Sequence, residues 1–111
     1  KAKVIIEMAN SPVTEETYPI LEKRGIKIVP DILANAGGVI VSYFEWLQNK
    51  KNEKWSEEKV NQKLEEKLKE SFKEIFEVSS DFKTNLKEAA FISALLKITK
   101  KFKGELFSFD F

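Results

Sequence analysis

The sequence contains no cysteine and no histidine. Without cysteine there is no disulfide and no thiolate nucleophile. Without histidine, neither a Ser-His-Asp triad nor a histidine-ligated zinc site can be built. An excess of one charge is also lacking: 19 basic residues face 18 acidic ones, for a formal net charge of +1. That balance gives no reason to expect a nucleic acid or an acidic membrane as partner. No apolar run approaches the roughly 20 residues needed to span a bilayer. The chain opens on Lys1 and shows no signal-like segment. It also has no G-x-G-x-x-G phosphate loop. The expectation is a cytoplasmic protein, or a piece of one that starts in mid-sequence, with no membrane or nucleic-acid partner.

What is present suits a globular class. The 111 residues are 42% hydrophobic and 33% charged, enough for one small core or for part of a larger domain. Abundant Lys and Glu, with Cys and His absent, lean toward a thermophilic source. An ordinary helical surface gives the same composition.

Punctuation divides the chain. Lys3 to Met8 (KVIIEM) is a short apolar run of the kind that forms a strand buried on both faces. Asn10, Ser11 and Pro12 break it. A helix follows, with Thr14 as one candidate cap; a start near Thr17 instead places Pro19 in the first turn, where proline is tolerated. Lys23, Arg24 and Gly25 end that helix. Ile26 to Val29 is a second strand, closed by Pro30. Strand, helix, strand is a βαβ unit with parallel strands. DILANAGG then reads as a loop. Gly37 or Gly38 opens a helix through Gln48, and Asn49 to Lys54 form a polar loop. Ser56 caps a long helix whose stripe is Val60, Leu64, Leu68, Phe72, Ile75, Phe76 and Ser79. Asp81 to Lys83 form a turn. Thr84 caps a last helix with Leu86, Ala89, Ala90, Ser93 and Leu96 on one face, and Gly104 ends it. Phe107, Phe109 and Phe111 in the tail call for a partner surface.

Ligands of open parallel sheets bind at the carboxyl ends of the strands. That edge holds Asn10 and the stretch from Asp31 to Gly38. Gly37 and Gly38 expose backbone N–H groups at a helix start, which attracts carboxylates or phosphates; a tight turn uses the same pair. An amide such as Asn10 or Asn35 suits a carboxamide or a ribose hydroxyl; each also suits plain loop backbone. Ser42, with no histidine to activate it, is a hydrogen-bond donor to a ligand carboxylate, or else a helical serine bonded to the carbonyl one turn back.

The run from Pro30 to Trp46, PDILANAGGVIVSYFEW, closely resembles the glutamate dehydrogenases. EMANSPVT resembles their EGAN-G-P-T segment. WSEEKVNQKLEEKL and TNLKEAAFISALLKI resemble their last two long helices. Leucine, phenylalanine and valine dehydrogenases share PD…NAGG and typically lack SYFEW, so the string favours glutamate. The family usually has glycine where this chain has Met8 and Ser11, and proline where it has Glu15.

The resemblance implies an α/β fold: the distal part of a Rossmann-type NAD(P)-binding domain followed by C-terminal α-helices, with residues 1–54 in the first part and 55–111 in the second. It implies that Asn10, Asn35, Gly37 and Gly38 meet NAD or NADP, that Val39 packs on the substrate side chain, and that Ser42 binds its γ-carboxylate. The implied reaction is the reversible oxidative deamination of L-glutamate to 2-oxoglutarate and ammonia, in a homo-hexamer. The family's phosphate loop and acid–base lysines and aspartate lie upstream, the latter in an N-terminal substrate domain, so the isolated chain is expected to be inactive. The rival readings are a non-catalytic nucleotide-binding-domain fragment and an interaction module. Binding of nucleic acid through Lys97, Lys100, Lys101 and Lys103 is a weaker third, since their spacing suits the solvated last turns of a helix.

Overall fold

The computed structural model describes residues 1–106, with side chains through residue 100. The expectation for Phe107, Phe109 and Phe111 lies outside the described residues. The chain divides into two compact units, Lys1–Lys73 and one beginning at Glu74.

The first unit opens as a βαβ unit. Strand β1 (Val4–Ile6) pairs with β2 (Lys27–Val29) in parallel, in the register Val4–Lys27, Ile5–Ile28 and Ile6–Val29. Helix α1 (Tyr18–Lys23) connects them. Its N-cap is Thr17, so Pro19 falls in the first turn, where a missing N–H costs nothing. The later of the two expected starts is the one adopted. Thr14 forms the turn before it, accepting the Thr17 N–H at 3.0 Å. Gly25 follows α1 with φ +72°, a left-handed conformation that releases the chain into β2.

Two expectations fail here. The KVIIEM strand is not buried on both faces: Val4 is 51% and Ile6 60% exposed, while Ile5 on the other face is half-buried. Val4 and Ile6 share one face of the pleat, and nothing in this two-stranded sheet's own unit buries it. DILANAGG is not a loop either. Asp31–Ala34 forms the one-turn helix α2. Pro30, fully buried, ends β2 in an extended conformation, and Leu33 at 5% exposure anchors the turn.

Helix α3 (Gly37–Lys51) opens at Gly37 as expected but runs past Gln48 into the predicted polar loop. Asn52 ends it in the left-handed conformation, φ 53°, which an Asn side chain tolerates. Ser56 caps α4 (Glu57–Phe82), its Oγ accepting the Lys59 N–H at 3.3 Å. In the first unit Val60, Leu64 and Leu68 of the α4 stripe are half-buried.

In the second unit Ile75 is buried, but Phe72, just before the unit boundary, and Phe76 stay 44% and 56% exposed, so the predicted stripe is covered only in part. The helix includes Asp81 and Phe82, and the turn comes at Lys83 (φ 52°) rather than at Asp81. Helix α5 is Leu86–Leu106, so Gly104 lies within it and does not end it. Its cap is Asn85, not Thr84: Asn85 Oδ1 accepts the Glu88 N–H at 2.9 Å. Thr84 instead donates its hydroxyl to the Glu88 carboxylate. Of the residues expected on one face, Ala89, Ala90 and Ser93 are buried and Leu96 is 41% exposed. Glu74 of α4 accepts from Ser93 and from Lys97, the latter at 2.7 Å.

Candidate functional site

The carboxyl edge of the sheet is organised around a buried carboxylate. Glu7 follows β1 and is 1% exposed. Its Oε2 accepts the Tyr18 hydroxyl at 2.5 Å and the Asp31 N–H at 3.1 Å, and its Oε1 accepts the Val13 N–H at 3.3 Å. A buried carboxylate is tolerated when its oxygens are satisfied in this way. Burial, together with the Glu7 hydrogen bond and charge, pushes the Tyr18 phenol well above its ordinary range. Asp31 is the second node. Its Oδ2 accepts the Ser11 N–H and its Oδ1 the Ile32 N–H, both at 2.7 Å. The two carboxylates thus satisfy donors in the first turn of α2, which no capping side chain serves.

Above this scaffold sit the expected amides. Asn35, at the C-cap of α2, donates its Nδ2 to Asn10 Oδ1 at 2.7 Å. Two residues that follow different strands are therefore in direct contact. Ser11, next to Asn10, has φ 47°. That is a costly conformation for serine and an easy one for glycine, the residue the resembling family carries there.

Gly37 and Gly38 are the first residues of α3, whose N-terminus has no side-chain cap. Neither has a positive φ. A Cβ on Gly37 would make an ordinary 4.0 Å contact with Leu64 Cδ1, and a Cβ on Gly38 would meet nothing within 4 Å. The chain's own packing does not require glycine at either position. Helix stability argues against it by roughly 1 kcal/mol per residue. The space over Gly38 is open to an outside group and fits the close approach of a ligand.

Val39 and Ser42 follow on one helical face, with Val39 69% exposed and Ser42 exposed. Ser80 and Thr99 bond back to carbonyls of their own helices; among the described residues Ser42 makes no such bond, so its hydroxyl is uncommitted. The same helix carries the stacked pair Tyr43 and Trp46, ring centroids 5.7 Å apart, both exposed. Phe44 turns instead toward Trp55, at 5.6 Å. An open groove of about 450 Å³ beside that contact is lined by Phe44, Leu47, Trp55 and charged residues of α4. It includes none of the expected site residues.

Sequence reasoning placed Asp31 at this edge without a role and missed Glu7. An acidic residue inside an apolar run was the available signal for Glu7. Its partners lie 6, 11 and 24 positions away, and no periodicity exposes such contacts. Among the described residues there is no group of three or more acidic side chains suited to a metal, and no helix is long and apolar enough to cross a membrane.

Comparison with known proteins gives concordant results. The family model described as Glutamate/Leucine/Phenylalanine/Valine dehydrogenase matches residues 1–105. The chain is 53% identical over 92 residues to an NAD-specific glutamate dehydrogenase of Staphylococcus aureus, covering 83% of this chain and 22% of that protein. It is 42% identical over 104 residues to the NADP-specific glutamate dehydrogenase A1 of Halobacterium salinarum, covering 93% and 25%. The crystal structure of glutamate dehydrogenase from Peptoniphilus asaccharolyticus superposes with a TM-score of 0.91 at 39% identity, over 94% of this chain and 26% of that one. The chain thus spans about a quarter of the length of the relatives it matches.

Proposed function

The chain belongs to the Glutamate/Leucine/Phenylalanine/Valine dehydrogenase family, and from that premise we propose that it forms the nicotinamide and γ-carboxylate side of a glutamate dehydrogenase pocket. The reaction is the reversible oxidative deamination of L-glutamate to 2-oxoglutarate and ammonia. The observation that carries the reading is the Asn10–Asn35 amide pair at the carboxyl ends of two parallel strands, followed directly by the open helix start at Gly37 and Gly38.

NAD or NADP supplies the hydride acceptor when bound. The chain's residues bind and orient. Asn10 and Asn35 hold the carboxamide and ribose side of the nicotinamide, and Gly38 leaves room for it to approach the backbone. Val39 offers an apolar contact for the substrate side chain. The uncommitted Ser42 hydroxyl donates to the γ-carboxylate, one helical turn beyond Gly38. Such positioning is what hydride transfer asks of the protein. In the same reading, residues 1–54 are the distal part of a Rossmann-type domain and 55–111 its C-terminal helices. The partner is an N-terminal substrate domain, and the assembly is a cytoplasmic homo-hexamer.

A hybrid enzyme tests this. Replacing the matching segment of the S. aureus relative with this chain is expected to preserve glutamate-dependent NAD reduction. A folded hybrid with no turnover would overturn the reading.

A further inference from the structure

Glu7 and Asp31 take no part in that reading, yet they govern where the amides lie. Three separate segments donate to Glu7: the loop at Val13, helix α1 through Tyr18, and the first residue of α2, Asp31. Asp31 in turn holds the Ser11 N–H with its Oδ2, and its backbone carbonyl accepts the Asn35 N–H at 3.0 Å. The residue next to Asn10 and the backbone of Asn35 therefore both end on Asp31, which Glu7 fixes.

The pair's own bond uses Asn35 Nδ2 and Asn10 Oδ1. It leaves Asn10 Nδ2 as a donor and Asn35 Oδ1 as an acceptor within the same pair. A primary carboxamide presents the complementary oxygen and NH2. We propose that Glu7 and Asp31 are positioning residues that fix the Asn10–Asn35 pair in the orientation that receives a primary carboxamide. The inference rests on the reading of these amides as nicotinamide contacts.

The test is NMR of the 15N,13C-labelled 111-residue chain, with no cofactor. Asp31→Ala removes the acceptors for Ser11 and Ile32 and leaves the α2 backbone intact. The expected result is loss of the cross-peak between the Asn35 side-chain amide and Asn10, with the amide signals of β1 and β2 in their wild-type positions. Asp31→Asn keeps one acceptor oxygen, which can serve the Ser11 N–H at the expense of Ile32, and restores the cross-peak. Glu7→Met gives the same loss as Asp31→Ala; if it does not fold, Asp31→Ala decides alone. Free nicotinamide at millimolar concentration shifts both Asn side-chain signals in the wild type and neither in Asp31→Ala. A cross-peak that survives Asp31→Ala, or strand signals that move with it, overturns the positioning role. Wild-type signals that nicotinamide leaves unmoved overturn the carboxamide assignment. Turnover of the hybrid enzyme reads the parent proposal separately, because these signals do not depend on it.

Discussion

Tyr18 donates its hydroxyl to Glu7 Oε2 at 2.5 Å, joining α1 to the end of β1 inside the first unit. The bond predicts both a stability loss and an alkaline transition. Tyr18→Phe leaves Glu7 Oε2 with the Asp31 N–H alone and is expected to cost about 1–2 kcal/mol. Burial, then Glu7, raises the Tyr18 phenol above its ordinary value of 10.0. A raised pKa on this group means that folding selects the neutral phenol. The unfolded chain gives up the proton first, so this stability is complete below about pH 10 and declines as pH rises beyond it. Urea midpoints measured across that range should fall more steeply for wild type than for Tyr18→Phe. Parallel curves would show that the phenol is not shifted, and coincident curves that the bond contributes nothing.

Ser11 occupies the left-handed region at φ 47° with its N–H on Asp31. Ser11→Gly removes the steric cost of that conformation, and part of the gain is offset by the freer unfolded chain. The net expectation is stabilisation by about 0.5–1 kcal/mol, with Ser11→Val destabilising by more than that. Equal thermal midpoints for the Gly and Val variants would refute the strain.

The βαβ order was legible because its stops are local. Pro12, Gly25 and Pro30 each act through their own backbone geometry, and Gly25 has the positive φ its position demands. Topology then put Asn10 and Asn35 at one edge, but not in contact, since a bond across 25 residues has no local sign. Helix α2 escaped for a related reason. One turn is too short to show a 3.6-residue period, and it is held by Glu7 and by the burial of Leu33. The strand pattern misled in the opposite sense. KVIIEM carries the composition of a doubly covered strand, yet Val4 and Ile6 are open in this chain.

The cap of α5 turns on two adjacent polar residues. Asn85 stands three positions before Glu88, the spacing of a capping box, and its Oδ1 meets the Glu88 N–H at 2.9 Å. Asn85→Ala should lower stability by about 1 kcal/mol, and Thr84→Ala by less than half as much. Chemical denaturation of both variants checks the order; a larger loss from Thr84→Ala would return the cap to that residue.

Gly38 opens α3 with free space where a Cβ would stand. Gly38→Ala is therefore expected to stabilise the chain, by up to roughly 1 kcal/mol. In the hybrid enzyme the same change fills the approach to the backbone and should raise KM for NAD by roughly tenfold, equivalent to about 1.4 kcal/mol. Opposite signs in stability and cofactor affinity are the discriminating result. A hybrid with unchanged KM would mean that nothing approaches there.

In the proposed pocket, Ser42 is the residue that would read the substrate's γ-carboxylate. Its hydroxyl is exposed and, unlike those of Ser80 and Thr99, is not bonded to its own helix. Ser42→Ala should therefore leave the stability of α3 unchanged or slightly raised, because no intrahelical bond is lost and alanine is the better helix former. On the proposed reading, the same change in the hybrid enzyme would delete one hydrogen bond to a charged carboxylate. It should raise KM for glutamate by roughly 10- to 100-fold, equivalent to about 1.4–2.8 kcal/mol, and leave KM for NAD within about twofold. The split between the two KM values carries the argument, since a general loss of structure would move both. Norvaline, which lacks the γ-carboxylate, should be used equally well by wild-type and Ser42→Ala hybrids. If Ser42→Ala weakens norvaline and glutamate alike, Ser42 supports the pocket without reading the carboxylate.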